Sequence, residues 1–313
     1  MSSSAILISI SQWLVIIVGL SFLFFGLIGT LANLLIFSNR RLRKLPSTQY
    51  ILIQSIFNIL IFSFALLAQI LVTGFVWPYF FAFRLVCISR NYIGIFSTQS
   101  YLYLKCLVAF DAWASTSESV SIRQWSTVRR ARLLILINIM FWSLLSIPYA
   151  IWNNNILQKN IWQCSLVGEI FQKYHGYFFV PTLVLFIPLL WLSFFGYHTY
   201  KHITRFKRCI RRLVRLKQQF TPMILAQVFV LIISFVPYTV QYTYTTITAN
   251  WQKDSQWLAI DSIIVLTGRM CFFFNNAVEF YIYIYLSSEI RSIFKQLIFK
   301  LIPIRLRNVV LPI

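Results

Sequence analysis

Charged residues are scarce in this chain, and acidic residues are the scarcest of them. Only 11% of its 313 residues are Asp, Glu, Lys or Arg, and seven of these are acidic. A soluble domain of this length carries far more charge on its surface. The seven acids and three histidines form no cluster suited to metal binding or acid–base catalysis. We therefore predict that the protein is not an enzyme and has no catalytic residue, metal site or cofactor.

Glycine and internal repeats are also lacking. The chain has nine glycines, and its halves show no inverted similarity. Transporters are commonly built from such repeats, with helices broken at Gly or Pro. The sequence therefore disfavours a transporter or channel. A light receptor that binds retinal is disfavoured as well, because no lysine lies between Lys253 and Lys295 to form the Schiff base.

What the chain has in abundance is apolar sequence. It is 59% hydrophobic with a mean hydropathy of +0.73, and seven apolar blocks are long enough to cross a bilayer core of about 30 Å. Backbone polar groups in lipid must bond within their own segment, so each block is expected to be a helix. The predicted fold class is an all-α membrane protein, a seven-transmembrane helix bundle. The predicted spans are Trp13–Phe37, Tyr50–Phe75, Cys87–Phe110, Leu133–Trp152, Tyr177–Tyr200, Phe220–Thr246 and Trp257–Leu286.

The distribution of the basic residues indicates how these spans are oriented across the membrane. Of 28 Lys and Arg residues, 21 follow spans one, three, five and seven, five lie on the other side, and two lie within spans. Cytoplasmic loops carry such an excess of Lys and Arg. We predict a multi-pass protein of the plasma membrane, with its N-terminus outside and its C-terminus in the cytoplasm. Basic residues along the surface of the lipid bilayer then account for the net charge of +21. No nucleic-acid partner is expected.

The chain divides into three regions around this bundle. Residues 1–12 are predicted to be a short extracellular N-terminus without a separate signal peptide, residues 13–286 the seven-helix domain, and residues 287–313 a cytoplasmic tail. The tail has apolar residues at a spacing that places them on one face of a helix. This pattern predicts a short amphipathic eighth helix along the membrane surface. The apolar positions are Ile290, Ile293, Phe294, Leu297 and Ile298.

Two of the five cysteines are expected on the oxidising side of the membrane. Cys87 begins span three, and Cys164 lies in the loop between spans four and five. Because disulfides form in oxidising compartments, we expect a bond between these two residues that ties the loop to the top of span three. The alternative is a pair of free thiols.

Several short features recur in a fixed order along the spans. They are Asn33 in "GTLANLLIF", the Cys87–Cys164 pair, "CLVAFDAW" at the end of span three, Trp142, Pro188, Pro237 in "FVPY", and "NNAVEFYIY" in span seven. Together they resemble the rhodopsin-like (class A) G-protein-coupled receptors over essentially the whole chain. The resemblance implies a receptor for an extracellular small molecule or short peptide that signals to a cytoplasmic heterotrimeric G protein. The residues it implies at the G-protein face are Asp111, Ala112, Trp113 and Arg215.

The sequence also departs from the pattern of that family. Ala112 stands where the family carries the arginine of helix three, and Asn58 where it carries the aspartate of helix two. The first change leaves open a receptor-like protein with weak or no G-protein coupling, and the second puts the family's sodium site in doubt. Glu279 and Phe280 replace the Asn-Pro pair of helix seven, which removes the expected proline kink.

Arg269 is an ionisable residue inside span seven, where a charge is costly and is a candidate for function. It lies in the outer half of the span, where the family binds small ligands. We predict that it anchors an acidic group of a ligand. The alternative is a structural contact with Asp261, Glu169 or backbone carbonyls. Four aromatic residues are further candidates for ligand binding: Tyr101, Tyr238, Tyr242 and Phe272.

Lys105 in span three and Glu279 in span seven are two further intramembrane charges. Both lie roughly 9–12 Å above the cytoplasmic ends of their spans. We predict a buried ion pair between them that replaces the missing sodium site. The alternative is a lysine that reaches the interface beside a protonated glutamate. The other residues predicted for this intramembrane switch are Asn33, Asn58 and Tyr283.

Overall fold

A computed structural model of the protein describes residues 3–40, 42–77, 79–158, 161–205, 212–249 and 251–301. Within these ranges, seven helices are long and apolar enough to cross a membrane, which is the arrangement of a multi-pass membrane protein. The prediction of seven helical spans is confirmed. Helices one to seven span Ser9–Phe37, Pro46–Gly74, Arg84–Thr116, Val128–Ile151, Glu169–His202, Pro222–Ile247 and Ser255–Leu286.

Helices one, three, six and seven are each continuous α-helices, and helices one and six begin before their apolar segments. Their full bounds are Ser3–Phe37, Arg84–Thr116, Arg212–Ile247 and Ser255–Leu286. Helix seven is therefore unbroken through Glu279 and Phe280, as expected where the proline is missing. A further α-helix, Ser288–Leu301, follows helix seven directly, and its position along a membrane surface stays a prediction.

Helices two and five contain wider, π-helical turns. In helix two these turns are Ile61–Leu66 and Ile70–Gly74, between the α-helical segments Pro46–Leu60 and Leu67–Gln69. In helix five the π-helical segment Tyr174–Phe186 lies between α-helical Glu169–Lys173 and Ile187–Arg205. That segment contains Pro181, which has no N–H group to donate and so disfavours regular α-helical bonding.

Helix four and the connections are shorter elements. Helix four is α-helical over Val128–Leu145 and Ile147–Ile151. A 3₁₀ turn, Leu42–Lys44, and a short α-helix, Val120–Arg123, lie in the connections at the end of the bundle opposite Cys87. Residues 206–211, between helices five and six, are not among the described residues, so part of the predicted basic loop falls outside them.

Helix three occupies the centre of the bundle. It packs against helices two, four, five and six, while helix one packs against two and seven, and helix six packs against five and seven. Its inward face is polar as well as apolar, with Ser97, Ser100, Lys105 and Asp111 all buried. A buried polar face of this kind needs partners on the surrounding helices, because water is excluded there.

The outer surface of the bundle is apolar. Trp13 is 61% exposed, Leu144 is 61% exposed and Phe229 is 65% exposed. Soluble monomers rarely expose contiguous apolar surface on this scale, whereas lipid chains accept it. The burial pattern therefore agrees with helices that face lipid.

A β-hairpin forms most of the connection between helices four and five. Strand β1, Asn153–Gln158, pairs antiparallel with strand β2, Ile161–Leu166, so that Asn155 lies opposite Cys164. The sequence analysis did not predict these strands. Asn155 Nδ2 donates to the carbonyl oxygen of Ala82 at 2.9 Å, which holds the hairpin against the connection between helices two and three.

Helices one and seven approach each other closely at Gly29. A Cβ atom added there would lie 2.9 Å from the Cβ of Phe280, which is fixed to the backbone and cannot rotate away. Small residues permit such approach between membrane helices. Gly94 differs, because an added Cβ would meet no atom within 4 Å.

We expect Gly29→Ala to destabilise the protein by about 1–3 kcal/mol, because helices one and seven must separate to admit the methyl group. Gly94→Ala is the matched control, and it should leave stability unchanged or raise it slightly, since alanine favours a helix over glycine. The midpoint of thermal unfolding of the purified protein measures both effects. Equal midpoints for the two variants would contradict the close approach.

Candidate functional site

Cys87 and Cys164 form a disulfide bond, as predicted. The bond joins the first turn of helix three to strand β2 of the hairpin. One turn further along helix three, Asn91 Nδ2 donates to Asn153 Oδ1 at 2.7 Å and to Cys164 Sγ at 2.9 Å. The hairpin is therefore fixed across this end of the bundle, which we call the disulfide end.

Two carboxylates near the disulfide end form ion pairs with lysines. Asp261 pairs with Lys253, and its Oδ1 accepts a hydrogen bond from the hydroxyl of Tyr244 at 3.1 Å. Glu169 pairs with Lys173 at 2.6 Å. Neither carboxylate forms an ion pair with Arg269, so the alternative of a structural pair between Arg269 and one of these acids is wrong.

Arg269 instead contacts a neutral amide. Its Nη1 donates to Oε1 of Gln69 in helix two at 2.9 Å, and Gln69 Nε2 donates to Thr73 Oγ1 at 2.6 Å. The amide orients the guanidinium group without neutralising its charge. The role of Arg269 in ligand binding stays a prediction, and its position between helices two and seven leaves the charge available.

Three of the four aromatic candidates lie together near this arginine. The rings of Tyr238 and Phe272 are 5.1 Å apart, and those of Tyr238 and Tyr242 are 6.1 Å apart, measured between centroids. Phe272 follows Arg269 by three residues, about one turn of helix seven. The ring of His175 lies 4.9 Å from that of Tyr242. Helices five, six and seven thus form an aromatic wall below the disulfide end.

Tyr101, the fourth candidate, belongs to a different cluster. It is buried, and its hydroxyl donates to Glu279 Oε2 at 2.7 Å. Glu279 Oε1 accepts from Gln54 Nε2 and from the hydroxyl of Tyr283 at 2.6 Å. Tyr283 also accepts from Gln227 Nε2 at 3.0 Å. We call these five residues and Lys105 the mid-bundle network.

The predicted direct ion pair between Lys105 and Glu279 does not form. Lys105 Nζ donates to Asn275 Oδ1 at 3.1 Å and lies 4.7 Å from the ring centroid of Tyr101. The carboxylate of Glu279 is already bound by three neutral donors, so it does not need the ammonium group as a direct partner. The alternative of a lysine at the interface is also wrong, because Lys105 is only 4% exposed. The two charges do share one depth, as predicted, with Tyr101 between them.

A cavity of about 20 Å³ lies beside this network, and Lys105, Gln54, Gln227 and Tyr283 are among its lining residues. The Oε1 atoms of Gln54 and Gln227 are buried and have no hydrogen-bond partner within the described part of the chain. The rest of the lining is mostly apolar, with Ile51, Val108, Leu192, Met223 and Ile224. A space of this size holds one water molecule, and the two amide oxygens are acceptors for it.

The two predicted asparagines differ in their contacts. Asn58 Nδ2 donates to Thr30 Oγ1 at 3.0 Å and to the carbonyl oxygen of Asn276 at 3.1 Å, so it links helices one, two and seven. Asn33 is buried, but its Oδ1 has no partner among the described residues. The structure therefore places Asn58 beside the network and gives Asn33 no bond to it.

Sequence reasoning missed Gln54 and Gln227, the two amides that join helices two and six to the network. A signal for both was present. Each is a polar residue within a long apolar segment, and a buried amide in lipid must find a hydrogen-bond partner. A search limited to charged residues does not find these neutral amides.

The end of helix three opposite the disulfide holds the residues predicted to face a G protein. Asp111 and Ala112 are buried, and Asp111 Oδ2 accepts a hydrogen bond from Ser47 of helix two. The ring of Trp113 lies 5.1 Å from that of Phe195 in helix five. The side chain of Arg215 lies outside the described residues. Contact of these residues with a G protein stays a prediction.

No protein-family model matches the chain, and no curated protein matches its sequence. The family to which the chain belongs is therefore not shown. Its seven-helix arrangement, the charge at the disulfide end and the mid-bundle network are the features that bear on its function.

Loss of the disulfide in a Cys87→Ser/Cys164→Ser variant should destabilise the protein by about 4 kcal/mol. The bond closes a loop between residues 77 apart in sequence, which restricts the unfolded chain. The thermal unfolding midpoint of the purified protein, with and without reductant, measures this loss. Cys271 is a free cysteine, so Cys271→Ser is the control and should respond to reductant as the wild type does. A wild-type midpoint that does not change on full reduction would contradict the prediction.

We expect Tyr283→Phe to destabilise the protein by about 1–3 kcal/mol, because the change removes a donor from Glu279 and an acceptor from Gln227. Tyr285 is two residues away and 80% exposed. Tyr285→Phe is therefore the control, and it should change stability by less than about 0.5 kcal/mol. Chemical or thermal unfolding in detergent measures both. If the two variants are equally stable, the hydroxyl of Tyr283 does not support the network.

Proposed function

We propose that the chain is a receptor resembling the rhodopsin-like class, which binds an extracellular small molecule or short peptide and transmits a helix rearrangement to a cytoplasmic heterotrimeric G protein. The observation that carries this proposal is the mid-bundle network. It links helices two, three, six and seven through the buried carboxylate of Glu279.

The network is suited to act as a two-state element. Glu279 accepts from Gln54 and Tyr101 on neighbouring helices, and a shift of helix seven must lengthen or exchange these bonds. The ammonium group of Lys105 is the donor available for such an exchange, since it lies 4.7 Å from the ring centroid of Tyr101, whose hydroxyl bonds to Glu279. Each exchanged bond changes the free energy by about 1 kcal/mol, so a ligand with modest preference for one arrangement is able to shift the populations.

The ligand site in this proposal lies at the disulfide end. Arg269 and the aromatic wall are there, and the hairpin tied to Cys87 lies across that end of helix three. The signal then passes along helices three, six and seven through the network. The arrangement requires the orientation indicated by the basic residues, with the disulfide end outside the cell.

A receptor-like protein without G-protein coupling is the second candidate, and Ala112 favours it. This residue is buried and has only a methyl group, so it offers no charge to a partner. The neighbouring carboxylate of Asp111 accepts a hydrogen bond from Ser47 within the bundle. A G protein that binds here must therefore rely on other groups at the ends of helices three, five and six.

Nucleotide exchange on a panel of purified G proteins decides between these candidates. We expect the full chain in nanodiscs to raise the exchange rate of at least one G protein above that of empty nanodiscs. Glu279→Gln should change this basal rate several-fold, because it removes the charge that holds three donors in place. Tyr285→Phe is the control and should leave the rate unchanged. An absence of exchange with every G protein would favour the second candidate.

A further inference from the structure

Arg90 is a second arginine below the disulfide end, and the sequence analysis gave it no role. It lies three residues after Cys87 on helix three. Its guanidinium carbon is 5.3 Å from the ring centroid of Phe81. Its Nε is buried and has no hydrogen-bond partner within the described ranges. A buried donor without an acceptor is rare and needs a physical reason.

Arg90 and Arg269 bring two positive charges to one region. Arg90 lies over the ring of Phe81, which packs in one buried cluster with Ala68 of helix two. Arg269 donates to Gln69, the next residue of that helix. All seven Asp and Glu residues belong to the described part of the chain, and none of them forms an ion pair with either arginine there. Two like charges in a poorly solvated place repel each other, and no carboxylate of the protein offsets this repulsion.

The other side chains in this region are mostly hydrogen-bond donors or aromatic rings. Tyr238 and Tyr242 each have a phenolic hydroxyl group able to donate, and Phe272 adds an apolar face. Gln69 contributes the acceptor that already holds Arg269. The region therefore has an excess of donors and positive charge, which is the chemistry that binds an anion.

We propose that Arg90 and Arg269 together bind the anionic group of the ligand, and that the ligand is a small organic acid whose apolar part contacts Tyr238, Tyr242 and Phe272. The two guanidinium groups hold a carboxylate from helices three and seven at once. The proposal rests on the proposed function, because it names the ligand class of that receptor. It adds Arg90 as a second residue that binds the anion, and it explains why Arg269 has a neutral partner.

Ligand binding to the purified full chain in nanodiscs of uncharged lipid tests the proposal without a G protein. The probes are phenylacetate, its neutral analogue phenylacetamide, and inorganic phosphate, at constant ionic strength. Phenylacetate should raise the thermal unfolding midpoint in a concentration-dependent way, and phenylacetamide should not. Arg90→Gln and Arg269→Gln should each weaken the response roughly tenfold or more, and the double variant should abolish it.

Arg84→Gln is the matched control, since Arg84 is an exposed arginine on the same helix end and its loss changes the net charge equally. It should leave the response to phenylacetate unchanged. Without any anion, Arg90→Gln should raise the midpoint, because the repulsion between the two arginines is removed. This midpoint without anion can be measured even for a variant that no longer binds phenylacetate.

Three results would overturn the proposal. They are equal midpoint shifts with the acid and its amide, a response that survives in the double variant, and a response to phosphate alone. The test also separates this proposal from the receptor function. Anion binding without nucleotide exchange supports the site and contradicts signalling, whereas exchange without arginine-dependent binding contradicts the site alone.

Discussion

The carboxylate of Glu279 is the constraint on which the bundle depends most. A charge or polar group buried among apolar helices is costly unless neighbouring groups bond to it. Glu279 meets this requirement with donors from helices two, three and seven, and Tyr283 extends the contact to helix six through Gln227. The relative rotation and depth of four helices are therefore fixed by one side chain and its partners. Packing elsewhere, such as the close approach at Gly29, adds to an arrangement that this network specifies.

The two ends of the bundle differ in their electrostatics, and the network lies between them. At the disulfide end, Asp261 and Glu169 are paired with lysines while Arg269 keeps a neutral partner. At the opposite end, Asp111 accepts a bond within the bundle, and the neighbouring Ala112 has no polar group. An anion that draws Arg90 and Arg269 together pulls on helices three and seven, which are also the helices that carry Lys105 and Glu279. This shared connection gives a physical route from one end to the other.

The sequence was sufficient for features that depend on local pattern. Apolar length predicted seven spans, and the expected oxidising side predicted the Cys87–Cys164 bond. Asn275, Glu279 and Tyr283 recur every four residues and so share one face of helix seven, and the structure shows that this face bonds to helices two, three and six. Prediction from the sequence failed where the outcome depends on how helices rotate against each other. Lys105 and Glu279 share a depth but bind different neutral partners, because Gln54 and Asn275 are nearer than the opposite charge. The hairpin depends on contacts of Asn91 with the side chains of Asn153 and Cys164, and of Asn155 with the backbone of Ala82. The sequence of the two strands alone does not reveal these distant partners.

A double-mutant cycle between Gln54→Leu and Gln227→Leu tests the central claim most directly. The two amides lie on helices two and six and are joined through Glu279 and Tyr283 in the network. The free energy of unfolding in detergent is measured for the wild type, both single variants and the double variant. The account predicts a coupling energy greater than about 0.5 kcal/mol, because each change alters the bonds available to the other. Strictly additive effects would show that the helices are not coupled through this carboxylate.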